Sequence, residues 1–288
     1  MTGLIADSDN GLGSPRGDVD DGLALIALFR SGLPIAAVAS VFGNTDEWRA
    51  HANTRALAAL CGYEGLILAG AGRRLRRGAS LSEASRFLID GPGPWRVVAL
   101  GPLTNLAAAI EARSDVAGHI AEVIAVGGNR ASRGRWPPLW PYEFNLTADR
   151  RATRVVVESG IPLTLVPLEV ARRMMVTPAD LAELAGALGE HVRNHAARWF
   201  RRALLLRGRR AFPVWDLVAA LCVVDPASCE TERTVARLHP NGWLELGAGT
   251  RPVTLVRAFD PRALWRHFVR LAQAEHPSGS SCRMVRAG

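Results

Sequence analysis

Residues 3–22 read GLIADSDNGLGSPRGDVDDG: a short apolar run breaks into acids, loops through glycines, and meets a second group of acids heading an apolar segment. Gly3 to Ala6 has the length and bounding turn residues of a buried strand, and Gly22 to Arg30 follows as a helix. The alternation then repeats. Pro34 to Val41 is a strand and Asp46 to Gly62 a helix; Leu66 to Ala69 is a strand; Trp95 to Leu100 is a strand and Leu103 to Ala112 a helix. Glu122 to Val126 and Leu163 to Pro167 are further strands, with a helix from Asp149 to Glu158 between them. Strand followed by helix, repeated, predicts a doubly wound α/β fold with a mostly parallel central sheet and flanking helices. From Pro178 the pattern turns helical, with Leu188 to Leu206 the longest helix and another at Asp216 to Val223. An Asn241-Gly242 turn between apolar runs predicts a small hairpin ahead of a helix at Arg262 to Ala274. The polar tail 276–288 is expected to be disordered.

Five carboxylates, Asp7, Asp9, Asp18, Asp20 and Asp21, lie within fifteen residues. They fall at the C-terminal end of a strand, where open α/β sheets bind ligands. Packed together without a cation they would repel and raise one another's pKa, so the cluster calls for a hard metal, and an all-oxygen set favours calcium or magnesium. The plainer alternative is a solvated turn with a capping aspartate.

Composition removes other chemistries. All 35 basic residues are arginine, so a Walker P-loop, a Schiff-base enzyme and a lysine general base are excluded. The net charge of +8 is spread along the chain and gives no nucleic-acid footprint. No run is apolar and long enough to span a membrane, and a cytoplasmic location is expected. Cys61, Cys222, Cys229 and Cys282 form no metal or disulfide pattern, so reduced, mostly buried thiols are expected.

The acidic opening resembles that of the nucleoside hydrolases, in which an Asp-x-Asp-x-Gly turn precedes an Asp-Asp pair that starts the first helix. Val41-Phe42-Gly43-Asn44, Leu100 to Leu106 (LGPLTNL), Val126-Gly127-Gly128, Glu143-Phe144-Asn145 with Asp149, and Trp215-Asp216 stand in the family's order, over roughly residues 3 to 225. The resemblance implies one nucleoside hydrolase-like α/β domain over residues 1–275 that assembles as a homodimer or homotetramer. It also implies a metal-dependent N-ribosyl hydrolase. Asp9, Asp21, the Leu100 carbonyl and Asp216 would hold one Ca2+ that acidifies a water, with Asp9 as the general base. Asp20, Asn44, Val126, Glu143 and Asn145 would face the nucleoside, their oxygens and amides suited to the ribose and to an oxocarbenium-like transition state.

Two departures stand out. The excursion between Gly11 and Asp20 is longer than the family's, which makes Asp18 a rival to Asp9 as ligand or base, with Arg16 near enough in sequence to lower an acid's pKa. At position 215 the pyrimidine-preferring and broad-specificity members carry a histidine acid, whereas tryptophan resembles the purine-preferring branch. Trp215 therefore predicts stacking and a purine or modified-base preference, with Trp136, Trp140 and Trp199 as candidates for the opposite face. His191 and His195, at i,i+4, read as solvated or lining residues. Alternatives are a nucleoside-binding or regulatory protein without turnover, and a phosphatase of the haloacid dehalogenase type, which lacks its lysine here.

Overall fold

The computed structural model describes residues 2–15, 17–130, 143–208 and 210–274. From the N-terminus, β1 (Gly3–Ser8) leads through the acidic excursion into α1 (Asp20–Phe29); β2 (Ile35–Ser40) leads into α2 (Glu47–Cys61). The short β3 (Ile67–Leu68) precedes α3 (Glu83–Asp90), and β4 (Trp95–Ala99) precedes α4 (Thr104–Ala112). Then come β5 (Ile120–Val126), β6 (Asn129–Arg130), α5 (Asn145–Ala148), α6 (Arg150–Glu158), β7 (Leu163–Val166), α7 (Leu168–Ala171), β8 (Met175–Val176) and α8 (Pro178–Ala182). The long α9 (Gly186–Arg207) is followed by β9 (Phe212–Pro213) and α10 (Trp215–Val224). Finally β10 (Cys229–Leu238), β11 (Leu244–Leu246), β12 (Arg251–Phe259) and α11 (Pro261–Gln273) complete the described chain.

One ten-stranded sheet runs in the order β3-β2-β1-β4-β5-β7-β12-β10-β11-β6. The seven strands from β3 to β12 are parallel, and β10 joins antiparallel to β12. Successive β1 residues point to opposite faces: Leu4 and Ala6 enter one apolar core and Ile5 the other. Both faces are therefore covered, which is why the strands read as continuous apolar runs. From β1 the chain first builds outward to β2 and β3, then returns to place β4 on the other side of β1. That reversal opens a crevice at the C-terminal ends of β1 and β4, the ligand position of doubly wound sheets. Asp7 sits at this edge, in register with Ala39 of β2 and Ala99 of β4.

Every residue of α1 is buried, and α10 is buried along most of its length against it. Helices that are apolar all round belong in an interior. Their N-terminal turns carry Asp20 and Asp21 (α1) and Asp216 (α10), so two positive helix ends support three carboxylates.

Two expectations change. The hairpin at Asn241-Gly242 forms, with β10 and β11 antiparallel, but the apolar run after it is a nine-residue strand, β12, bonded to both β10 and β7. The small hairpin is thus part of the main sheet. Secondly, Cys222 and Cys229 form a disulfide rather than two free thiols. The turn at Pro226–Ser228 reverses the chain between α10 and β10 and brings their Cα atoms to 5.8 Å, within bridging range at a spacing no cysteine motif would flag. Cys61 is free and buried as expected, and burial pushes its thiol up to about 11. Cys282 and the tail 276–288 lie outside the described residues. No described helix is long and apolar enough to cross a membrane.

Candidate active site

The crevice gathers Asp9 from the end of β1, Asp18 from the excursion, Asp20 and Asp21 from α1, Asn44 from the loop after β2, and Asp216 from α10. Asp9, Asp20, Asp21 and Asp216 are buried, none more than 5% exposed, while Asp18 is half-buried. Ligand atoms of Asp18, Asp20 and Asp21 lie within 4.8 Å of one another.

Neutral donors hold the outer oxygens. The Ser8 hydroxyl donates to Asp21 Oδ1 at 2.7 Å, and the Asn44 backbone N–H donates to Asp9 Oδ2 at 2.7 Å. The Asn44 side-chain amide donates to Asp18 Oδ1 and, at 3.2 Å, to Asp21 Oδ2. Asp20 Oδ1 and Asp216 Oδ1 are buried and accept nothing from the protein. Two glycines make this approach possible. A Cβ on Gly43 would collide with Asp9 Oδ2, and one on Gly101 would lie 3.2 Å from Asp9 Cβ and 2.7 Å from Val41 Cγ1.

Crowding shows in the protonation. Burial, followed by the charges of Asp21 and Asp216, holds the Asp9 carboxyl well above the carboxylate range. Burial and then Asp18 do the same to Asp20; burial and then Asp21 and Asp18 do it to Asp216. Burial likewise raises Asp21 to about 7. A cation in the group would relieve all four at once. The donors are oxygens, two of them are buried without a partner, and no ion pair with the group is formed among the described residues, so the residues fit a hard divalent ion.

The other ribose candidates run from Val126, at the end of β5, to Asn145, which opens α5. Asn145 donates its side-chain amide to the Leu100 carbonyl at 2.8 Å, occupying one of that oxygen's two lone pairs. Glu143 is buried, lies against Gly127, and accepts the N–H groups of Leu146 at 2.9 Å and Thr147 at 3.2 Å; burial pushes its carboxyl up to about 8. Val126 ends β5 with its side chain in the apolar core and its backbone in register with Val166 of β7. Asp149 caps α6 through Ala152 N–H and accepts from Leu75 N–H and the Thr104 hydroxyl, so it holds loops together rather than facing the cluster.

The tryptophans separate. Trp215, half-buried, meets Phe212 edge-on at 5.2 Å, packs against the apolar core and leaves Nε1 buried without a partner. Trp199 meets Phe212 edge-on as well, and Phe200 at 5.2 Å. This edge-to-face chain is a packing arrangement and presents no pair of parallel plates. Trp136, Trp140 and Arg16 lie outside the described residues. The His191 and His195 rings pack edge-to-face at 4.5 Å, with no third ligand among the described residues.

Sequence reasoning passed over Ser8 and Asn105. Ser8 stands between the two acids of the opening motif and orients one acid of the next. Asn105 donates to Asp7 Oδ1 at 3.0 Å and to the Ser40 carbonyl at 2.9 Å, while its own oxygen accepts from Ala71 N–H and the Ser82 hydroxyl. Its place in a helix-opening Pro-Leu-Thr-Asn segment was the available signal.

A parallel doubly wound sheet with buried acids gathered at its switch point defines a protein built to hold a hard cation in its crevice. The sequence profile described as "Inosine-uridine preferring nucleoside hydrolase" matches residues 4–266. The chain belongs to this family of N-ribosyl hydrolases. Uridine nucleosidase 1 of Arabidopsis thaliana is 29% identical over 273 residues, covering 83% of this chain and 79% of that protein. Among solved structures, a plant nucleoside hydrolase superposes with TM-score 0.80 at 20% identity, over 95% of this chain and 99% of the other. A purine-preferring ribonucleoside hydrolase from Gardnerella vaginalis superposes with TM-score 0.78 at 19% identity, over 94% and 98%. These last two likenesses speak to the fold. The family is metal-dependent, in keeping with the acidic cluster.

Proposed function

We propose that the chain hydrolyses the N-glycosidic bond of ribonucleosides, using Asp9, Asp21, the Leu100 carbonyl and Asp216 to hold one Ca2+. The observation that carries this reading is the buried acid group in which one oxygen each of Asp20 and Asp216 is buried without a partner. The bound cation would supply acidification of a water. Asp9, fixed by the Asn44 backbone N–H, takes that water's proton as the general base. Asp20 and Asn44 hold two of the ribose hydroxyls, with Glu143 and Asn145 at the far side of the sugar and the Val126 backbone beside it. As the bond to the base breaks, positive charge grows on the sugar ring, and the surrounding carboxylate and amide oxygens stabilise it more than they stabilise the neutral substrate. The functional unit on this reading is one domain over residues 1–275, assembled as a homodimer or homotetramer and acting in the cytoplasm on a small-molecule substrate.

The purine preference expected from Trp215 gains no support. The Arabidopsis relative is named for uridine, and the indole is committed to Phe212 and the core. We therefore place uridine within the substrate range and give Trp215 a packing role. Release of free ribose across a panel of uridine, cytidine, inosine, guanosine and adenosine tests this. Uridine turnover comparable to or above that of the purines is expected; turnover confined to purines would restore the stacking argument.

A further inference from the structure

The described residues of the excursion, 11–15 and 17–18, are pinned to one another and to the body of the fold. Ser14 N–H donates to the Gly11 carbonyl at 2.8 Å, and Gly11 and Gly17 approach so closely that a Cβ on either would strike the other's backbone. Leu12 is buried beneath Gly22, where a Cβ would collide with it. The Asn53 amide donates to the Asn10 carbonyl and to Ser14 Oγ, each at 3.0 Å, and Ser14 Oγ donates to Thr45 Oγ1 at 3.1 Å. What emerges from this base is Asp18. Its carboxylate stands within 4.8 Å of ligand atoms of Asp20 and Asp21, and its charge is felt at Asp9, Asp20, Asp21 and Asp216. Asp20 Oδ1, a buried carboxylate oxygen without a partner, belongs to this same cluster.

We propose that Asp18 is a further ligand of the cation, supplied by the excursion and added to Asp9, Asp21, Asp216 and the Leu100 carbonyl. The inference rests on the metal site described under the proposed function. Its chemistry follows from charge and valence. A hard cation accepts six to eight oxygens, and affinity rises with the number of charged ligands. A carboxylate mounted on a pinned loop loses little freedom in binding. The same step would free Asn44: its side-chain amide is held by Asp18 and Asp21, and turning Asp18 to the cation releases that donor to a ribose hydroxyl. Cation binding and assembly of the sugar site are thereby linked through one residue.

The test is calorimetric titration of chelator-stripped full-length protein with calcium, comparing the wild type with Asp18→Asn and Asp18→Ser, each checked for a native melt before titration. Terbium luminescence lifetimes in light and heavy water then count the waters on the ion. The expected result is at least tenfold weaker calcium binding in both variants and about one more coordinated water on terbium, since water replaces a lost carboxylate. An affinity within twofold of the wild type, or weaker binding with the water count unchanged, would show that Asp18 is not a ligand. Absence of calcium and terbium binding to the wild type itself would overturn the underlying metal site, and the Asp18 assignment with it.

Discussion

At the scale of the residue, Asp9 carries the most. It is buried, its Oδ2 is fixed by the Asn44 backbone N–H, and Gly43 leaves no space on that side. Asp9→Asn keeps the shape and removes the proton acceptor. Turnover should fall about 10²- to 10⁴-fold, the range of a lost general base, with KM for the nucleoside changed far less. Steady-state ribose release with uridine measures both; a loss confined to KM would shift the base assignment to Asp18. Much of this site was legible in the sequence because acids at a strand's end are costly without a cation, whatever the surroundings. Ser8 and Asn105 were not, since a serine or an asparagine is ordinary until its partners, here Asp21 and Asp7, are seen. The packing of Trp215 was not legible for a related reason. An aromatic beside an acidic ligand reads as substrate contact, whereas the edge-on contact with Phe212 depends on where β9 lies.

At the scale of the element, Glu143 is buried just ahead of α5 and holds the start of that helix. Its two oxygens accept the first free N–H groups of that helix, yet burial raises its carboxyl from 4.5 to about 8. A carboxyl raised on folding holds its proton more tightly in the native state. Its contribution to stability is complete below pH 4.5 and lost as pH rises through about 8. Cation-free protein should therefore lose stability across that window with a slope approaching ~1.4 kcal/mol per pH unit from this group. Glu143→Gln should flatten the profile of melting temperature against pH; an unchanged profile would place the proton elsewhere. The elements themselves were well signalled in the parallel half, where each strand is a bounded apolar run. β12 was not, because Pro252 and the arginines at 251 and 257 interrupt its pattern, and its pairing with β10 and β7 is decided by tertiary context.

At the scale of the whole molecule, the fold brings two buried helices end-on to one crevice, so Asp9 and Asp21, 12 positions apart, share a single charge problem with Asp216, 195 positions further on. The cation is therefore tied to folding as well as to catalysis: a ligand bound only by the native state stabilises it by about 2.7 kcal/mol at a hundredfold excess over Kd. The most direct measurement is ribose release from uridine by wild-type protein before chelation, after exhaustive chelation, and after calcium is restored, with the melting temperature followed in parallel. Activity should vanish and the melt fall on chelation, and both should return with calcium. Full activity and an unshifted melt in the chelated protein would contradict a metal-dependent N-ribosyl hydrolase built on these aspartates.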